Sequence, residues 1–534
     1  MKSFTKRDVM KLLLVLLTGG LLFFSNLGGW DLWNPDEPRY AEIAREMIQG
    51  GTWVIPHLNG EVYFDKPPLF FAMIAGAAKA LGGVNSWSAR LPSAIFGTLG
   101  LIVLYALGRA LRDGTTGLLA ALMTATTVEY LWLARRANID ATLTFFTTGA
   151  IFFFWTGAKS ENGKVFLYLM GYIFMAVGFL TKLQPAVLIP VLALGPYFIL
   201  KGRWSFFVDK KHIPGLLVFT GIVGGWLLLA LKEGGPEYLK GLLWEKTAST
   251  FFKVTTTGHK RPFFYYFYNF PAQFFPWSFF LPSAIIYALR THKEELVFPL
   301  SWFAAGFLFF SLAQAKRGLY LLPLYPAAAL LVAVLWRDED LRKGLLRTPL
   351  LVLAAVLVFT GMVVPFPVML WGRKYLQHAL EIGVVTGVML TSGGTVLWLS
   401  VKKIRRPSLA LVLVVSLTSI LWLYGVWRIF PEVNPYKSAR PLSERVLEVM
   451  APEDSLAVYK LQGAEFNFYT GRVPIQRIYR PEDLKAYLDR PGRAFCILRE
   501  KHLRKLSQEL TSKVHVVTRG RVGHKKLVVI SNRG

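Results

Sequence analysis

A group of acidic, basic and phenolic side chains follows the first apolar segment of the sequence, in the runs NPDEPRYAE and YFDKPP. Its members are Asp36, Arg39, Tyr40, Tyr63, Asp65 and Lys66. Carboxylates, cations and hydroxyl donors beside an apolar surface suit recognition of an anionic lipid head group. Asp36 and Glu37 directly follow Pro35, so they also suit the first turn of a helix, where acidic residues favour the helix dipole. The residues alone leave both interpretations open.

A second carboxylate, Asp140, lies in RRANIDATLTFF at the start of an apolar segment. A carboxylate at the edge of a membrane is a candidate partner for Asp36. The alternative is a solvated turn in which Arg135 and Arg136 form ion pairs of little energetic value with Asp140.

Two further places carry cations between apolar runs. Lys182 stands alone in GFLTKLQP, where its side chain either extends to the membrane surface or contacts an anion. Lys316, Arg317 and Tyr320 lie together in QAKRGLYLLP, at the start of another apolar run. Positive charge on an outer loop opposes the usual membrane topology, so this cluster favours contact with a phosphate.

A histidine in the aromatic run GHKRPFFYYFYNF is the candidate metal ligand. Most of these aromatic residues suit a belt at the membrane surface, but His259 could bind a divalent ion such as Zn, Mg or Mn together with Asp65. The sequence has no Walker loop, HExxH helix or glycine-rich dinucleotide turn. It therefore predicts no nucleotide cofactor.

The composition requires a membrane to position these groups. Of 534 residues, 53% are hydrophobic and 18% charged, whereas soluble domains carry about 25% charged residues. A soluble, fibrous or disordered protein is excluded. The net charge of +28 is compatible with nucleic-acid binding, but basic cytoplasmic loops of a membrane protein give the same total. The single Cys496 excludes an internal disulfide.

Apolar runs long enough to cross ~30 Å of hydrocarbon predict about thirteen transmembrane helices. A first, retained helix covers residues 9–27, and residues 69–82 suit a juxtamembrane helix lying at the interface. The other spans are expected near 91–109, 116–134, 141–158, 165–181, 184–200, 214–231, 274–290, 297–314, 319–336, 349–371, 380–400 and 408–429.

The charges in the connecting loops predict the orientation. With the N-terminus in the cytoplasm, six loops on that side are all basic, as the positive-inside rule requires. Two long loops, 28–90 and 232–273, and the C-terminal region then lie outside. Residues 1–430 thus form a transmembrane domain, and residues 431–534, with alternating helix-like and strand-like segments, form a small α/β domain in the periplasm.

The ordered motifs NPDEPRYAEIAREM, YFDKPPL, SARLPSAIFGTLGLIVLYALGR, RRANIDATLTFF and GFLTK resemble the bacterial lipid A aminoarabinose transferase family. This family is a branch of the polyprenyl-phosphate-sugar-dependent glycosyltransferases related to the protein O-mannosyltransferases. The resemblance covers roughly residues 1–430. It implies a multi-pass enzyme of the bacterial inner membrane that moves a sugar, 4-amino-4-deoxy-L-arabinose or a related one, from undecaprenyl phosphate to lipid A or another cell-envelope acceptor on the periplasmic side.

The resemblance also implies roles for individual residues. It makes Asp36 and Asp140 the catalytic carboxylates. The residues implied to hold the carrier phosphate are Arg39, Tyr40, Tyr63, Lys66, Lys182, Lys316 and Tyr320. Asp65 and His259 are implied as ligands of a divalent metal ion. The chain departs from the family at Asp65, where a glutamate is usual, and at Gly258-His259, where two histidines are frequent.

Three functions remain in competition. The preferred one is glycosyl transfer from the lipid-linked donor, with inversion at the anomeric carbon and with membrane lipids as the surroundings. A protein O-mannosyltransferase-like enzyme is the alternative within the same class. A lipid transporter is the alternative from another class, although its charges should lie at mid-span, whereas here they lie at the ends of segments. Nucleic acid is not an expected partner, because much of the basic excess falls in short loops.

Overall fold

The computed structural model describes residues 5–245, 260–338, 344–404, 406–506 and 514–533, and it is mostly helical. The helices of the first half are α1 (Lys6–Phe24), α2 (Asp36–Gly50), α3 (Leu69–Ala80), α4 (Ser86–Leu111), α5 (Gly114–Ala125), α6 (Val128–Leu133), α7 (Ile139–Lys159), α8 (Lys164–Lys182), α9 (Pro185–Leu200) and α10 (Ile213–Leu239). Those up to residue 437 are α11 (Tyr265–Gln273), α12 (Leu281–Thr291), α13 (Glu294–Leu312), α14 (Tyr325–Asp338), α15 (Gly344–Val363), α16 (Ala379–Leu399), α17 (Pro407–Tyr424) and α18 (Phe430–Lys437). A short hairpin of β1 (His57–Leu58) and β2 (Glu61–Val62) lies between α2 and α3.

Polar residues at the helix starts fix where the helices α1, α4 and α7 begin. Thr5 and Asp8 form a capping box at α1, and the Asn85 side chain accepts hydrogen bonds from Trp87 N and Ser88 N at α4. At α7 the Asn138 side chain accepts the backbone N–H of Asp140 at 2.8 Å. Such caps satisfy the free N–H groups of a first turn, and the last of them fixes the backbone of Asp140.

The helical part has the length and composition of a multi-pass membrane protein. Within the described residues, nine helical stretches are long and apolar enough to cross a membrane. They are Ser86–Leu111, Ile139–Lys159, Lys164–Lys182, Trp204–Trp244, Glu294–Leu312, Gly318–Asp338, Gly344–Gly372, Ala379–Lys403 and Pro407–Lys437. The other four predicted spans fall on α1, α5 with α6, α9 and α12, which are shorter or more charged. The number thirteen therefore stays a prediction.

Two apolar runs that the sequence presented as continuous are interrupted. The run 116–134 breaks at Thr126 and Thr127, and the run 274–290 starts with turns before α12 begins. The two breaks satisfy each other: the backbone N–H of Val128 donates to the carbonyl of Phe275 at 3.1 Å, and Trp277 Nε1 donates to Thr126 Oγ1 at 3.0 Å. A broken helix is tolerated in a membrane when neighbouring groups bind the freed polar atoms.

The last part of the chain contains a mixed sheet covered by helices. Its helices are α19 (Arg440–Leu447), α20 (Ala464–Thr470), α21 (Pro481–Leu488) and α22 (Glu500–Leu503), and its strands are β3 (Ser455–Tyr459), β4 (Gln476–Ile478), β5 (Ala494–Arg499), β6 (His515–Val522) and β7 (Lys525–Ser531). The strand order is β4-β3-β5-β7-β6, with β3 parallel to β4 and β5, and β7 antiparallel to β5 and β6. Separate apolar clusters cover its two faces.

The C-terminal region, from α18 onward, packs directly on residues 28–90, which are predicted to lie outside and are called the outer segment below. The Asn434 side chain accepts hydrogen bonds from Asp31 N at 3.0 Å and Trp33 Nε1 at 2.9 Å. Farther along, Tyr469 accepts the N–H of Leu32 at 2.7 Å, and Arg45 on α2 donates to the carbonyl of residue 467 at 3.0 Å. The C-terminal region therefore contacts the chain on both sides of Asp36.

Candidate functional site

A buried ion pair next to Asp36 connects the outer segment to helix α4. Arg90 on α4 donates to both oxygens of Glu37 at 2.7 and 3.1 Å, and neither side chain is exposed. Arg136 adds a contact at 3.3 Å, and the backbone N–H groups of Trp33 and Ala137 donate to the same carboxylate. Glu37 thus joins the outer loop, α4 and the turn before α7.

The electrostatics of Glu37 follow from this arrangement. Burial opposes its ionisation, but Arg90 and Arg136 outweigh that effect and lower its pKa to about 2. A carboxyl whose pKa is lowered in the folded state contributes stability above its ordinary pKa, and that contribution is lost as the pH falls toward about 2. Glu37 therefore acts as a support for the site rather than as a proton carrier at neutral pH.

Asp36 lies at the first turn of α2 with its carboxylate between two guanidinium groups. Arg39 pairs with one oxygen, and Arg317 Nη2 lies 3.2 Å from the other. Burial disfavours the charged carboxylate, but Arg39, Arg317 and Arg136 together keep its pKa below the usual value. Asp36 is consequently an ionised, buried carboxylate that is ready to accept a hydrogen bond from a hydroxyl group.

The second carboxylate forms an ion pair across two helix ends. Asp140, at the start of α7, pairs with Lys182, the last residue of α8. Lys182 Nζ also lies 5.1 Å from the ring centroid of Tyr320, in a cation–π arrangement. Lys182 is thus turned toward the protein, and the solvated turn considered for Asp140 is wrong because Asp140 is only 3% exposed.

The remaining predicted residues of the outer segment gather around these pairs. Tyr63 hydrogen-bonds with Asp65, and its ring packs edge-on against Phe71 with centroids 5.8 Å apart. The Tyr40 ring packs against the same Phe71 at 5.2 Å. The Lys66 ammonium group donates to the backbone carbonyl of Asp65 at 2.9 Å, and the charges of Asp65, Lys182, Arg39 and Asp140 act on it.

The ionisation of Lys66 gives a pH dependence that can be measured. Its burial lowers its pKa to about 8 although Asp65 opposes the shift. The ammonium form dominates below that pH and is lost above it, so the affinity for a phosphate-bearing donor should fall as the pH rises through about 8. We expect the KM for the donor to rise above pH 8 in the wild-type chain. Lys66→Arg, which stays charged, should not show this rise; an identical pH profile for both proteins would contradict the assignment.

Two predicted residues do not join this cluster in the described structure. Lys316 turns away, because its ammonium donates to the backbone carbonyls of Ala313 and Arg261 at the end of α13. Its neighbour Arg317 reaches Asp36 instead.

His259 lies outside the described residues, and within the described ranges no group of three histidine, cysteine or acidic residues could hold a metal ion. Asp65 hydrogen-bonds with Tyr63, and because its predicted co-ligand His259 is not described, the metal ion stays a prediction.

Some residues of the cluster were not assigned by sequence reasoning. Arg317 belongs to the run QAKRGLYLLP that predicts contact with a phosphate, but the sequence does not show which of its two adjacent cations points to the site. Glu129 lies within electrostatic range of Asp140, Arg136 and Arg317, yet it follows two threonines without a motif. Outside the cluster, Arg135, for which a solvated turn was the alternative prediction, is 1% exposed and donates to the Leu22 carbonyl at the end of α1.

The cluster can bind and polarise a phosphate ester. Its cations are Arg39, Lys66, Lys182 and Arg317, and its hydroxyl groups are those of Tyr40, Tyr63 and Tyr320. Cations and phenols next to a developing anion stabilise it most where water is excluded. The ionised Asp36 adds an acceptor that orients a hydroxyl nucleophile or removes its proton.

The family model that matches this chain covers part of the site. Residues 65–227 match the family model described as dolichyl-phosphate-mannose-protein mannosyltransferase. An uncharacterized protein of Aquifex aeolicus is 26% identical over 91% of this chain and 92% of its own length. An undecaprenyl phosphate-alpha-4-amino-4-deoxy-L-arabinose arabinosyl transferase of Pseudomonas aeruginosa is 31% identical over 60% of this chain. The match spans 58% of that relative's own length, which is less than two thirds.

Solved structures share the fold over nearly the whole chain. The crystal structure of ArnT from Cupriavidus metallidurans bound to undecaprenyl phosphate superposes with a TM-score of 0.83 at 20% identity, covering 99% of this chain and 98% of that one. The archaeal oligosaccharyltransferase AglB from Archaeoglobus fulgidus is more distant, with a TM-score of 0.56 at 12% identity over 92% of this chain and 69% of that one. The predicted resemblance to the aminoarabinose transferases and their O-mannosyltransferase relatives is confirmed, and the fold is that of a multi-pass membrane protein.

Proposed function

We propose that this chain, similar in sequence and fold to the lipid A aminoarabinose transferases, moves a sugar from undecaprenyl phosphate to lipid A or another cell-envelope acceptor. The observation that carries the proposal is the cluster of four cations and three phenols around Asp36 and Asp140. Its members come from five separate parts of the chain and meet at the ends of helices α2, α7 and α8. The named activity of the arabinosyl transferase relatives supports the same conclusion.

In the proposed reaction, the charged groups of the cluster assist a single displacement at the anomeric carbon of the donor sugar. Breaking the bond between the anomeric carbon and the carrier phosphate leaves negative charge on that phosphate. Lys66, Arg39 and Lys182 stabilise this leaving group, and the tyrosine hydroxyl groups donate to it. Asp36 orients or deprotonates a hydroxyl acceptor, whereas a phosphate acceptor arrives already charged. A single displacement inverts the anomeric centre.

The proposed topology follows from the charged loops and the fold together. Thirteen helices cross the bacterial inner membrane, with the N-terminus in the cytoplasm. Residues 1–430, with outer loops 28–90 and 232–273, carry the reaction, and residues 431–534 form the periplasmic α/β domain. Support comes from the basic character of the loops on the predicted inner side and from the packing of the α/β region on the segment of Asp36.

A protein acceptor is the second candidate, because the family model that matches residues 65–227 is named for mannosyl transfer to proteins. A lipid transporter is less well supported: Asp140 and Lys182 lie at helix ends rather than at mid-span. Nucleic acid is not a proposed partner, because much of the basic excess falls in short loops.

A panel of lipid-linked sugars tests the proposal. Purified protein in detergent is incubated with each donor and with lipid A, a lipopolysaccharide core, or a serine- and threonine-rich peptide, and the release of free undecaprenyl phosphate is measured. The proposal predicts release that requires an envelope acceptor and an undecaprenyl-linked sugar. Release that requires the peptide would establish the O-mannosyltransferase-like alternative. No release from folded protein, together with lipid flux in liposomes, would contradict the transferase and favour transport.

A further inference from the structure

A cavity of 490 Å³ lies at the opposite end of the helical bundle from Asp36. Its walls come from the start of α1, the end of α4, the start of α5, the end of α7 and the start of α8. The cations that line it are Arg7, Lys11, Arg109, Arg112 and Lys159, and the carboxylates are Asp8 and Asp113. The lining thus carries three more positive than negative charges.

The length of helix α7 gives the separation between the cluster around Asp36 and Asp140 and the cavity. Asp140 lies at its start and Lys159 at its end, and a rise of 1.5 Å per residue places them ~28 Å apart along the helix axis. That distance matches the ~30 Å of hydrocarbon in a bilayer. The cavity is therefore a separate site at the other membrane surface.

The two carboxylates of the cavity are engaged in capping helices. Asp8 accepts hydrogen bonds from Thr5 N at 3.1 Å and from the Tyr105 hydroxyl at 3.2 Å. Asp113 accepts the backbone N–H groups of Thr115 and Thr116 at 2.9 and 2.7 Å. Asp8 also pairs with Arg109 at 3.5 Å, Asp113 with Arg337 at 3.2 Å, and Lys159 with Glu294 at 3.1 Å. Within the described residues Arg7 and Lys11 pair with no carboxylate, and Lys11 donates only to the Thr115 hydroxyl, so these two cations carry the surplus of positive charge in the cavity.

One cation has a donor that the described protein leaves unused. Arg112 donates through Nη2 to Asp338 at 2.5 Å. Its Nη1 is buried and forms no hydrogen bond with a described residue. A buried guanidinium donor without a partner costs free energy that a phosphate oxygen would recover.

The exposed side chains next to the cavity indicate what kind of molecule would bring a phosphate to it. From the cavity, α1 continues with Met10, Leu13 and Leu17, which are strongly exposed, and Phe166 on α8 is also exposed. Exposed apolar side chains on helices of a membrane protein face the acyl chains. A cationic cavity lined by both of these helices fits a head group whose acyl chains lie along α1 and α8.

We propose that this cavity binds the phosphate of an anionic membrane lipid, and that it does so independently of the transferase site. The number of cations suits a singly charged phosphodiester better than a neutral zwitterionic head group. The proposal does not depend on the identity of the sugar or of the acceptor.

Lipid binding to the purified full chain tests this proposal, with native mass spectrometry as the measurement and phosphatidylglycerol and phosphatidylcholine as the probes. We expect the wild-type chain to prefer phosphatidylglycerol. The double variant Arg7→Gln/Lys11→Gln should lower the affinity for phosphatidylglycerol about tenfold, with little change for phosphatidylcholine. The matched double variant Lys402→Gln/Lys403→Gln removes two cations outside the cavity and should bind as the wild type does.

Several outcomes would overturn the proposal. Equal binding of the two lipids by the wild type, or an unchanged preference in the cavity variant, would show that the cavity is not the lipid site. Full displacement of the lipid by millimolar inorganic phosphate would assign the cavity to a free anion instead. If the double variant does not fold, as judged by its thermal unfolding, Lys159→Gln provides the same comparison with a single cation removed.

Discussion

Replacing Asp36 by asparagine is expected to lower kcat for acceptor-dependent sugar transfer about 10³-fold, a magnitude typical of a lost general base. Asn keeps the size of the side chain and can still accept one hydrogen bond. It cannot take a proton, and it no longer neutralises Arg39 and Arg317. The affinity for the anionic donor should therefore be retained or slightly increased. Steady-state kinetics at saturating donor separates the two effects.

The matched control for this variant is Asp31→Asn. Asp31 lies in the same outer segment and pairs with Arg440 at 3.4 Å, but it is outside the cluster. Its variant should keep kcat within about twofold, since partly exposed ion pairs contribute little. Equal losses in both variants would mean that Asp36 acts only by holding the segment in place, and wild-type kcat in Asp36→Asn would refute its role.

The largest expected effect on stability comes from Glu37→Ala. This change leaves Arg90 fully buried and removes a partner of Arg136. Loss of one member of a buried ion pair costs about 3–5 kcal/mol, because an uncompensated charge remains in the interior. Arg90 also donates to the carbonyls of Leu27, Trp30 and Asp31, which recovers part of this cost. Thermal unfolding in detergent should show a marked decrease in Tm.

Glu61→Ala is the control for Glu37→Ala. The Glu61 side chain is 72% exposed and only 3.4 Å from Arg477 at its nearest approach, so its removal should leave the Tm almost unchanged. A Glu37→Ala protein as stable as the wild type would show that the interior at Arg90 is accessible to water. In that case Glu37 would no longer explain how the outer segment is held.

The positions of most membrane helices were predictable because every span must be long and apolar enough to cross the hydrocarbon of the bilayer. Apolar length gave the positions of the long helices, such as Lys164–Lys182, to within a few residues. The breaks at Thr126 and before α12 could not be predicted, because each is stabilised by polar groups of the other, 151 residues apart at Thr126 and Trp277. Hydropathy along the chain carries no information about such a distant partner.

In the candidate site, too, residues that are close in the sequence were predictable, whereas contacts between distant residues were not. Asp36, Arg39 and Lys66 were found because they stand together in two motifs near the first apolar segment. The ion pair of Asp140 with Lys182 was not predicted as a pair, because the two residues come together only when α7 and α8 pack. Lys316 and Arg317 are adjacent and chemically similar, so only the packing of the turn before α14 decides that Arg317 reaches Asp36.

In the proposed mechanism, the cations around Asp36 hold the phosphate of a lipid-linked sugar while its bond to the sugar breaks. The most direct test compares acceptor-dependent release of undecaprenyl phosphate by the wild type, Lys66→Met and Lys79→Met. Lys79 is an exposed cation of the same outer segment, 4.7 Å from the centroid of the Trp53 ring and outside the cluster. We expect release to fall about 100-fold in Lys66→Met and to be unchanged in Lys79→Met. Wild-type release by folded Lys66→Met protein would contradict the claim.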